Sequence, residues 1–329
     1  MRILILGAAG MVGRRLIDRL VAERRIAGQD IDVIEAFDVV EADIASPEGI
    51  TIEAKAGDIS DRSEIEALVA KRPDIIFHLA AIVSGEAEAD FEKGYRINLD
   101  GMSHLLEAIR HEGDVYRPRL VFTSSIAVFG APFEEPIGDT FLSAPLTSYG
   151  TQKAICELLL NDYSRKGYVD GVGIRLPTIV VRPGKPNKAA SSFFSGIIRE
   201  PLAGQEAILP VADDVRHWVA SPAAAVGFLM HAALMDTERL GARRCLTMPG
   251  LSVTIAEMIE ALRVVAGDEV AGRIRREPDA VIEKIVAGWP RNFDASRAEE
   301  MGFSADADFA DIIRAHMADE AAKTQGSPR

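Results

Sequence analysis

The sequence predicts an α/β protein: a doubly wound parallel sheet with helices on both faces and a smaller C-terminal lobe. Three observations carry this reading. Apolar, strand-like runs alternate with amphipathic helical segments through the first half of the chain, the pattern of a parallel sheet with crossover helices. The chain enters its first strand at once and leaves it through a glycine-rich turn into a helix. After Arg175 the composition shifts toward Pro, Gly, Ser, Asn and Lys, which marks a second region.

RILILG, residues 2–7, is the first strand. Gly7, Gly10 and Gly13 in GAAGMVG turn the chain into a helix over 11–24 with apolar positions at Leu16, Ile17 and Leu20. Glycines here let the backbone approach an anion, which the free N–H groups of a helix N-terminus attract. A pyrophosphate is the expected guest, with Met11 and Val12 beside the glycines; a glycine turn without a ligand is the plain alternative.

A second strand, 31–37, ends at Asp38. A carboxylate there can accept from adenosine ribose hydroxyls and would repel a 2′-phosphate, and no arginine directly follows it, so the expected cofactor is NAD rather than NADP. A third strand, 51–56, runs into GDISD, where Asp58 is expected near the adenine with Ile59 beside it, and a helix over 61–71 follows. The fourth strand, 74–79, lies in IIFHLAA, a continuous apolar run typical of buried parallel strands. The small residues after it let the backbone of Leu79, Ala80 and Ala81 come close to the cofactor, and His78 reads as a core histidine. A helix over 92–112 carries Asn98, expected to serve the active-site backbone or a water network. A strand over 118–124, a helix over 148–166 and a strand over 170–176, followed by Pro177, complete the alternation.

The chemistry is signalled by three residues: Ser125 in TSSIAVFG, and Tyr149 and Lys153 in SYGTQK. Residues four apart on a helix share a face. An ammonium beside a phenol favours phenolate and should lower the Tyr149 pKa from its usual ~10. With Ser125 holding a substrate oxygen, Tyr149 could take a proton from an alcohol, which is half of a hydride transfer.

The chain has 329 residues, 48% of them hydrophobic, and a net charge of −13. That charge argues against nucleic acid and against an anionic membrane surface as partners. The two cysteines, Cys156 and Cys245, lack metal-ligand spacing, so no metal is expected, and they read as buried thiols. The immediate first strand leaves no room for a signal peptide, and no apolar run approaches the ~20 residues of a membrane helix. The expectation is a soluble cytoplasmic protein.

Taken together, GAAGMVG, Asp38, GDISD, HLAA, Asn98, TSSIAVFG and SYGTQK resemble the extended short-chain dehydrogenase/reductase family, which includes nucleotide-sugar epimerases and dehydratases. The resemblance spans nearly the whole chain. It implies a Rossmann domain with tightly bound NAD, a Tyr-Lys pair assisted by Ser or Thr, and often a homodimer. It makes Lys153 a ligand of the nicotinamide ribose and Ser125 the catalytic hydroxyl, because Ser125 stands five residues before Gly130; Ser124 is the second choice. The expected domains are 1–178, rejoined by 213–250, for NAD, and 179–212 with 251–329 for substrate.

In the C-terminal region, PGKPNKAASSFFSG (183–196) reads as a loop over the site, and RCLTMPG (244–250) as a strand returning to the sheet. Thr254 and Glu257 predict a capping box opening a helix, and the tail AAKTQGSPR is expected to fray. Nucleotide-sugar members of the family carry an Asn before a Tyr-Gly-Pro stretch. Here Thr178 replaces the Asn, and Val181-Arg182-Pro183 replaces the Gly-Pro. Arg182, Lys185, Lys188 and Arg216 remain as basic groups; the lysines read as solvated loop charges. Arg216 falls where relatives place an arginine on a substrate diphosphate, and suits a carboxylate equally, or a surface salt bridge. The segments SSIAVFGAPF, PLTSYGTQKAICELLLNDYS and GVGIRLPTIVVRPGKPNKAASSFFSGIIREPLAGQ resemble a branch of the family acting on the four-carbon sugar acid D-erythronate. This implies C2 oxidation to the 2-oxo acid with NAD, with Thr178, Arg182, Arg216, Ser125 and Tyr149 facing the substrate. Two alternatives stay open. One is a UDP- or dTDP-sugar epimerase or dehydratase using NAD transiently, although Ile126 and Ala127 supply no acid pair for a dehydratase. The other is a non-catalytic NAD sensor on the same fold, which the intact Ser-Tyr-Lys set disfavours.

Overall fold

The computed structural model describes residues 1–184 and 191–326. Lys185, Lys188 and the end of the tail, residues 327–329, lie outside the described residues. Seven parallel strands form the central sheet. They are β1 (Arg2–Leu6), β2 (Val33–Asp38), β3 (Thr51–Ala56), β4 (Ile75–His78), β5 (Arg119–Ser125), β6 (Asp170–Leu176) and an edge strand, Cys245–Thr247. The spatial order is edge-β6-β5-β4-β1-β2-β3. It reverses between β1 and β4, and such a reversal opens a crevice at the strands' C-terminal ends.

Apolar runs become central strands because helices cover both faces. Ile3, Leu4, Ile5 and Leu6 are fully buried, and alternate residues feed two apolar layers, one holding Leu16, Ile17 and Leu20 of helix α1 (Met11–Glu23), the other Leu105, Leu106 and Ile109. A third apolar cluster joins Val180 and Val181 with residues 193–211, 251–286 and 309–313. A separate three-stranded sheet lies beside it, pairing Arg216–Ala220 with Thr178–Ile179 on one side and Leu251–Thr254 on the other.

The strand expected in 244–250 does join the main sheet, in register with β6. The Thr254–Glu257 capping box is formed in both directions. The helix expected over 92–112 differs: a π-helical turn at Tyr95–Asp100 separates a short helix, Phe91–Gly94, from Gly101–His111. The fraying expected from AAKTQG is replaced by helix, since the last one runs Phe309–Gly326. Arg297 reaches back from the C-terminal region to the edge strand. It donates to Asp139 and to the carbonyls of Cys245, Leu240 and Arg243 at 2.7–3.2 Å. Among the described residues, no helix is long and apolar enough to cross a membrane.

Candidate active site

The sequence-predicted residues gather at the C-terminal ends of the strands. Gly7 leaves β1 at φ +94°, and a β carbon on it would stand 2.6 Å from the Ala80 nitrogen. On Gly13 it would stand 2.2 Å from the Gly7 oxygen. Gly10 precedes α1 without a side-chain cap, which leaves the first amides, from Met11 and Val12 onward, to an outside acceptor. A bare helix end walled by backbone fits a dinucleotide pyrophosphate.

Asp38 ends β2 beside this turn. Its carboxylate accepts from the Ala9 amide at 2.8 Å and the Val39 amide at 2.6 Å, which fixes both oxygens and leaves lone pairs for ribose hydroxyls. Asp58, expected at the adenine, is braced by its neighbours: one oxygen takes Ser60 Oγ at 2.6 Å and the other takes Arg96 at 2.7 Å. Burial pushes its carboxyl up, but these donors outweigh it and hold it below the usual carboxylate range. Ile59 is buried behind it, against Gly101. The Leu79 and Ala80 amides both donate to the Leu6 carbonyl, so HLAA stays joined to β1 with Ala80 and Ala81 half-buried. Asn98, in the π-helical turn, accepts from the Ile82 amide at 2.9 Å and donates to its carbonyl at 3.2 Å. It is a clamp on the backbone just past HLAA.

Ser125 is the last residue of β5. Tyr149 and Lys153 lie on helix α2 (Ser148–Arg165), whose first turn is capped by Thr147 accepting from the Gly150 amide. Gly150 is where helix and strand end meet: a β carbon there would lie 2.2 Å from the Ala127 carbonyl oxygen. This approach brings the Ser125 hydroxyl close enough to the Tyr149 phenol to favour its ionised form, while Ser125 Oγ accepts from the Ala127 amide at 3.1 Å. Ser124 is committed elsewhere, donating to Glu157 at 2.5 Å, so Ser125 is the hydroxyl left facing Tyr149.

The expected lowering of the Tyr149 pKa is not found. Burial pushes the phenol up to about 12, against the smaller opposing effect of the Ser125 hydrogen bond. The Lys153 ammonium lies 5.7 Å from the Tyr149 ring centre and donates to the Thr123 carbonyl at 2.8 Å. Burial pulls Lys153 down to about 8, with Cys156 and Glu157 opposing. Burial therefore governs the phenol. His78 is a core residue as expected, edge-on to Phe122, yet neither ring nitrogen has a hydrogen-bond partner among the described residues. Burial, with the Lys153 charge adding, depresses it to about 3.

On the substrate side, Pro177 is buried and Thr178 follows it beyond the end of β6. Thr178 Oγ1 meets His217 Nε2 at 2.7 Å. The Arg182 amide donates to Ser195 Oγ, while its Nη2 is buried with no hydrogen-bond partner among the described residues. Arg216 is spoken for: it donates to the Ser252 carbonyl at 2.6 Å and pairs with Glu257 at 3.4 Å. Alternation along its strand puts it on the face opposite His217, where it borders a cavity of about 230 Å³ with Arg291 and Asp214.

A family model described as the NAD dependent epimerase/dehydratase family matches residues 3–239. The chain belongs to that family. It is an NAD-dependent oxidoreductase, and the cradle of Gly7, Gly10, Gly13 and Asp38 fits that cofactor. The chain is 48% identical to the D-erythronate dehydrogenase of Cupriavidus necator over 322 residues, 97% of this chain and 98% of that protein. It is 40% identical to the D-erythronate dehydrogenase of Haemophilus influenzae over 314 residues, 95% of this chain and 98% of that protein. A crystal structure described as the nucleoside-diphosphate-sugar epimerase from Agrobacterium tumefaciens shares 58% identity and a TM-score of 0.95, covering 98% of this chain and 95% of that one.

Two supporting residues of this family member, Gln152 and Glu157, were not read from its sequence, and neither was the contact that His217 makes. Gln152 accepts from Asn98 at 2.8 Å, although it sits inside SYGTQK beside Lys153. Glu157, one turn beyond Lys153 on the same face, receives Ser124 and is paired with Arg175 at 2.8 Å; its i+4 spacing was the available signal. His217 touches Thr178 across two strands that only the fold brings together.

Proposed function

We propose that the chain is a sugar-acid dehydrogenase that oxidises the C2 hydroxyl of D-erythronate to the 2-oxo acid. The observation that carries this is Arg182. It is a half-buried guanidinium whose Nη2 has no hydrogen-bond partner among the described residues, and a buried cation calls for an anionic partner. A substrate carboxylate supplies one. The Arg216 alternative is weaker, because that side chain is already paired with Glu257. The names of the two full-length relatives support the same substrate.

NAD supplies the hydride acceptor for the C2 hydrogen. Gly7, Gly10, Gly13 and the first amides of α1 hold its pyrophosphate, Asp38 its adenosine ribose, and Lys153 its nicotinamide ribose. Tyr149 would take the proton of the C2 hydroxyl as phenolate, once the positive charge of the bound cofactor together with Lys153 offsets the burial that otherwise keeps the phenol protonated, while Ser125 donates a hydrogen bond to that oxygen. Arg182 binds the carboxylate and so selects the carbon presented for reaction. The enzyme is read as cytoplasmic and homodimeric, and the exposed Leu158 on the catalytic helix suits a dimer face; sedimentation measures it.

The test is NADH absorbance after mixing protein and NAD with four- to six-carbon aldonic acids. D-Erythronate should give net NADH fastest, and Tyr149→Phe should abolish turnover, by roughly 100-fold or more, with NAD still bound. The description of the Agrobacterium tumefaciens structure favours a second reading, a nucleotide-sugar epimerase. Conversion of a UDP- or dTDP-sugar without net NADH would install that reading in place of the first.

A further inference from the structure

Asn98 joins two halves of the site. Its Oδ1 accepts from the Ile82 amide at 2.9 Å, and its Nδ2 donates to the Ile82 carbonyl at 3.2 Å. A backbone N–H can only donate and a carbonyl can only accept, so this reciprocal pair settles which way the Asn98 amide faces. Its Nδ2 also donates to Gln152 Oε1 at 2.8 Å. The Gln152 amide is settled in turn, because reversing it would set two NH2 groups against each other. One turn further along α2, Cys156 Sγ donates to the Asn98 carbonyl at 3.3 Å. Helix α2 therefore grips the π-helical turn through one residue, once at its side chain and once at its backbone.

Gln152 is fully buried, and its Nε2 has no hydrogen-bond partner among the described residues. That nitrogen sits against Gly94, where a β carbon would stand 2.6 Å away. A buried amide with an unsatisfied N–H is costly, and an apolar side chain of similar size would avoid the cost. What such a side chain would lose is the Asn98 contact. Asn98 holds Ile82, the residue after Ala81, at the end of the HLAA backbone expected against the cofactor. Gln152 stands on α2 between Tyr149 and Lys153. The contacts from Gln152 through Asn98 to Ile82 thus tie the backbone beside the cofactor to the helix that carries the phenol.

We propose that Gln152 is a positioning residue for hydride transfer: through Asn98, it sets the separation of the Ala81–Ile82 backbone from the Tyr149–Lys153 face. Reaction needs donor and acceptor in near-attack geometry, and a misplacement of about 1 Å can cost about 100-fold. A hydrogen bond that spans the two halves of the site acts on that geometry without touching cofactor or substrate. This inference rests on the sugar-acid reading above and on the roles it gives Tyr149 and Lys153.

The experiment follows NADH formation in a single turnover, with NAD saturating and the enzyme in saturating excess over D-erythronate. It compares the parent, Gln152→Leu, Asn98→Ala and the double variant. A single-turnover rate constant does not depend on how much of the protein is folded, so a merely structural role would not move it. Gln152→Leu should slow it by about tenfold or more, with KM for D-erythronate and NAD affinity within about threefold of the parent. The double variant should be no slower than Asn98→Ala, because Gln152 acts through Asn98. Where Gln152→Leu fails to fold, Gln152→Ala takes its place. A Gln152 variant within about twofold of the parent rate overturns the proposal alone, whatever its urea midpoint. A loss in the double variant equal to the product of the single losses does the same. A parent that forms no NADH from any aldonic acid overturns the sugar-acid reading, and the proposal with it.

Discussion

Gly13 and Gly7 meet backbone to backbone, one on the first turn of the helix and the other at the end of the first strand, with no room for a β carbon between them. The contact sets the angle at which the helix end faces the crevice. Gly13→Ala must push the turn open, an overpacking cost of about 1–3 kcal/mol. NAD affinity should fall at least about fivefold by calorimetric titration, and an unchanged affinity would show that the turn does not shape the site.

Asp38 holds the Ala9 and Val39 amides and offers its charge to the ribose. Asp38→Asn keeps the shape and removes the charge. Hydrogen bonds to charged groups are worth about 1.5–3 kcal/mol, so NAD binding should weaken by roughly tenfold or more while NADP binding improves. Titration with both reduced cofactors, followed by their fluorescence, reads this without any substrate.

The turn, Asp38, HLAA and the Ser-Tyr-Lys set were legible because each is local: strand, punctuation and helix follow one another within a few residues. Non-local partners were not. Arg175 meets Glu157 across a helix–sheet packing layer, and Arg216 finds Glu257 through a capping helix forty residues on. The π-helical turn at Asn98 was hidden as well, since helical periodicity continues on either side of it. The Tyr149 pKa was misread because four-residue spacing reveals the lysine's proximity, whereas the degree of desolvation depends on the whole fold.

Glu157 and Arg175 form a buried pair that also receives Ser124, with Asp139 behind it. Removing one partner from such a pair costs about 3–5 kcal/mol. Glu157→Gln should lower the urea midpoint substantially. Arg175→Met combined with Glu157→Leu should cost less than the sum of Arg175→Met and Glu157→Leu measured singly. Strict additivity would mean that the two side chains act independently.

Acid stability should follow the buried histidines. His78 is depressed to about 3 and His217 to about 4, whereas an unfolded histidine takes its proton near ~6.5. Below that pH the unfolded chain binds more protons than the folded one, so stability falls as pH falls, by up to about 1.4 kcal/mol per pH unit per histidine. His78→Leu removes two unpartnered nitrogens and should flatten the loss between pH 7 and pH 4 by about one proton. Urea unfolding across that range measures it, and parallel curves for parent and variant would assign the acid sensitivity to other groups.

Arg297 closes the edge of the sheet from a position more than fifty residues beyond the strand it secures. A chain emerging from the ribosome can therefore assemble its cofactor crevice early. The outermost seam of that sheet stays without this latch until Arg297 has been made, well after its strand, so the order of synthesis builds the floor of the site before its far wall is locked.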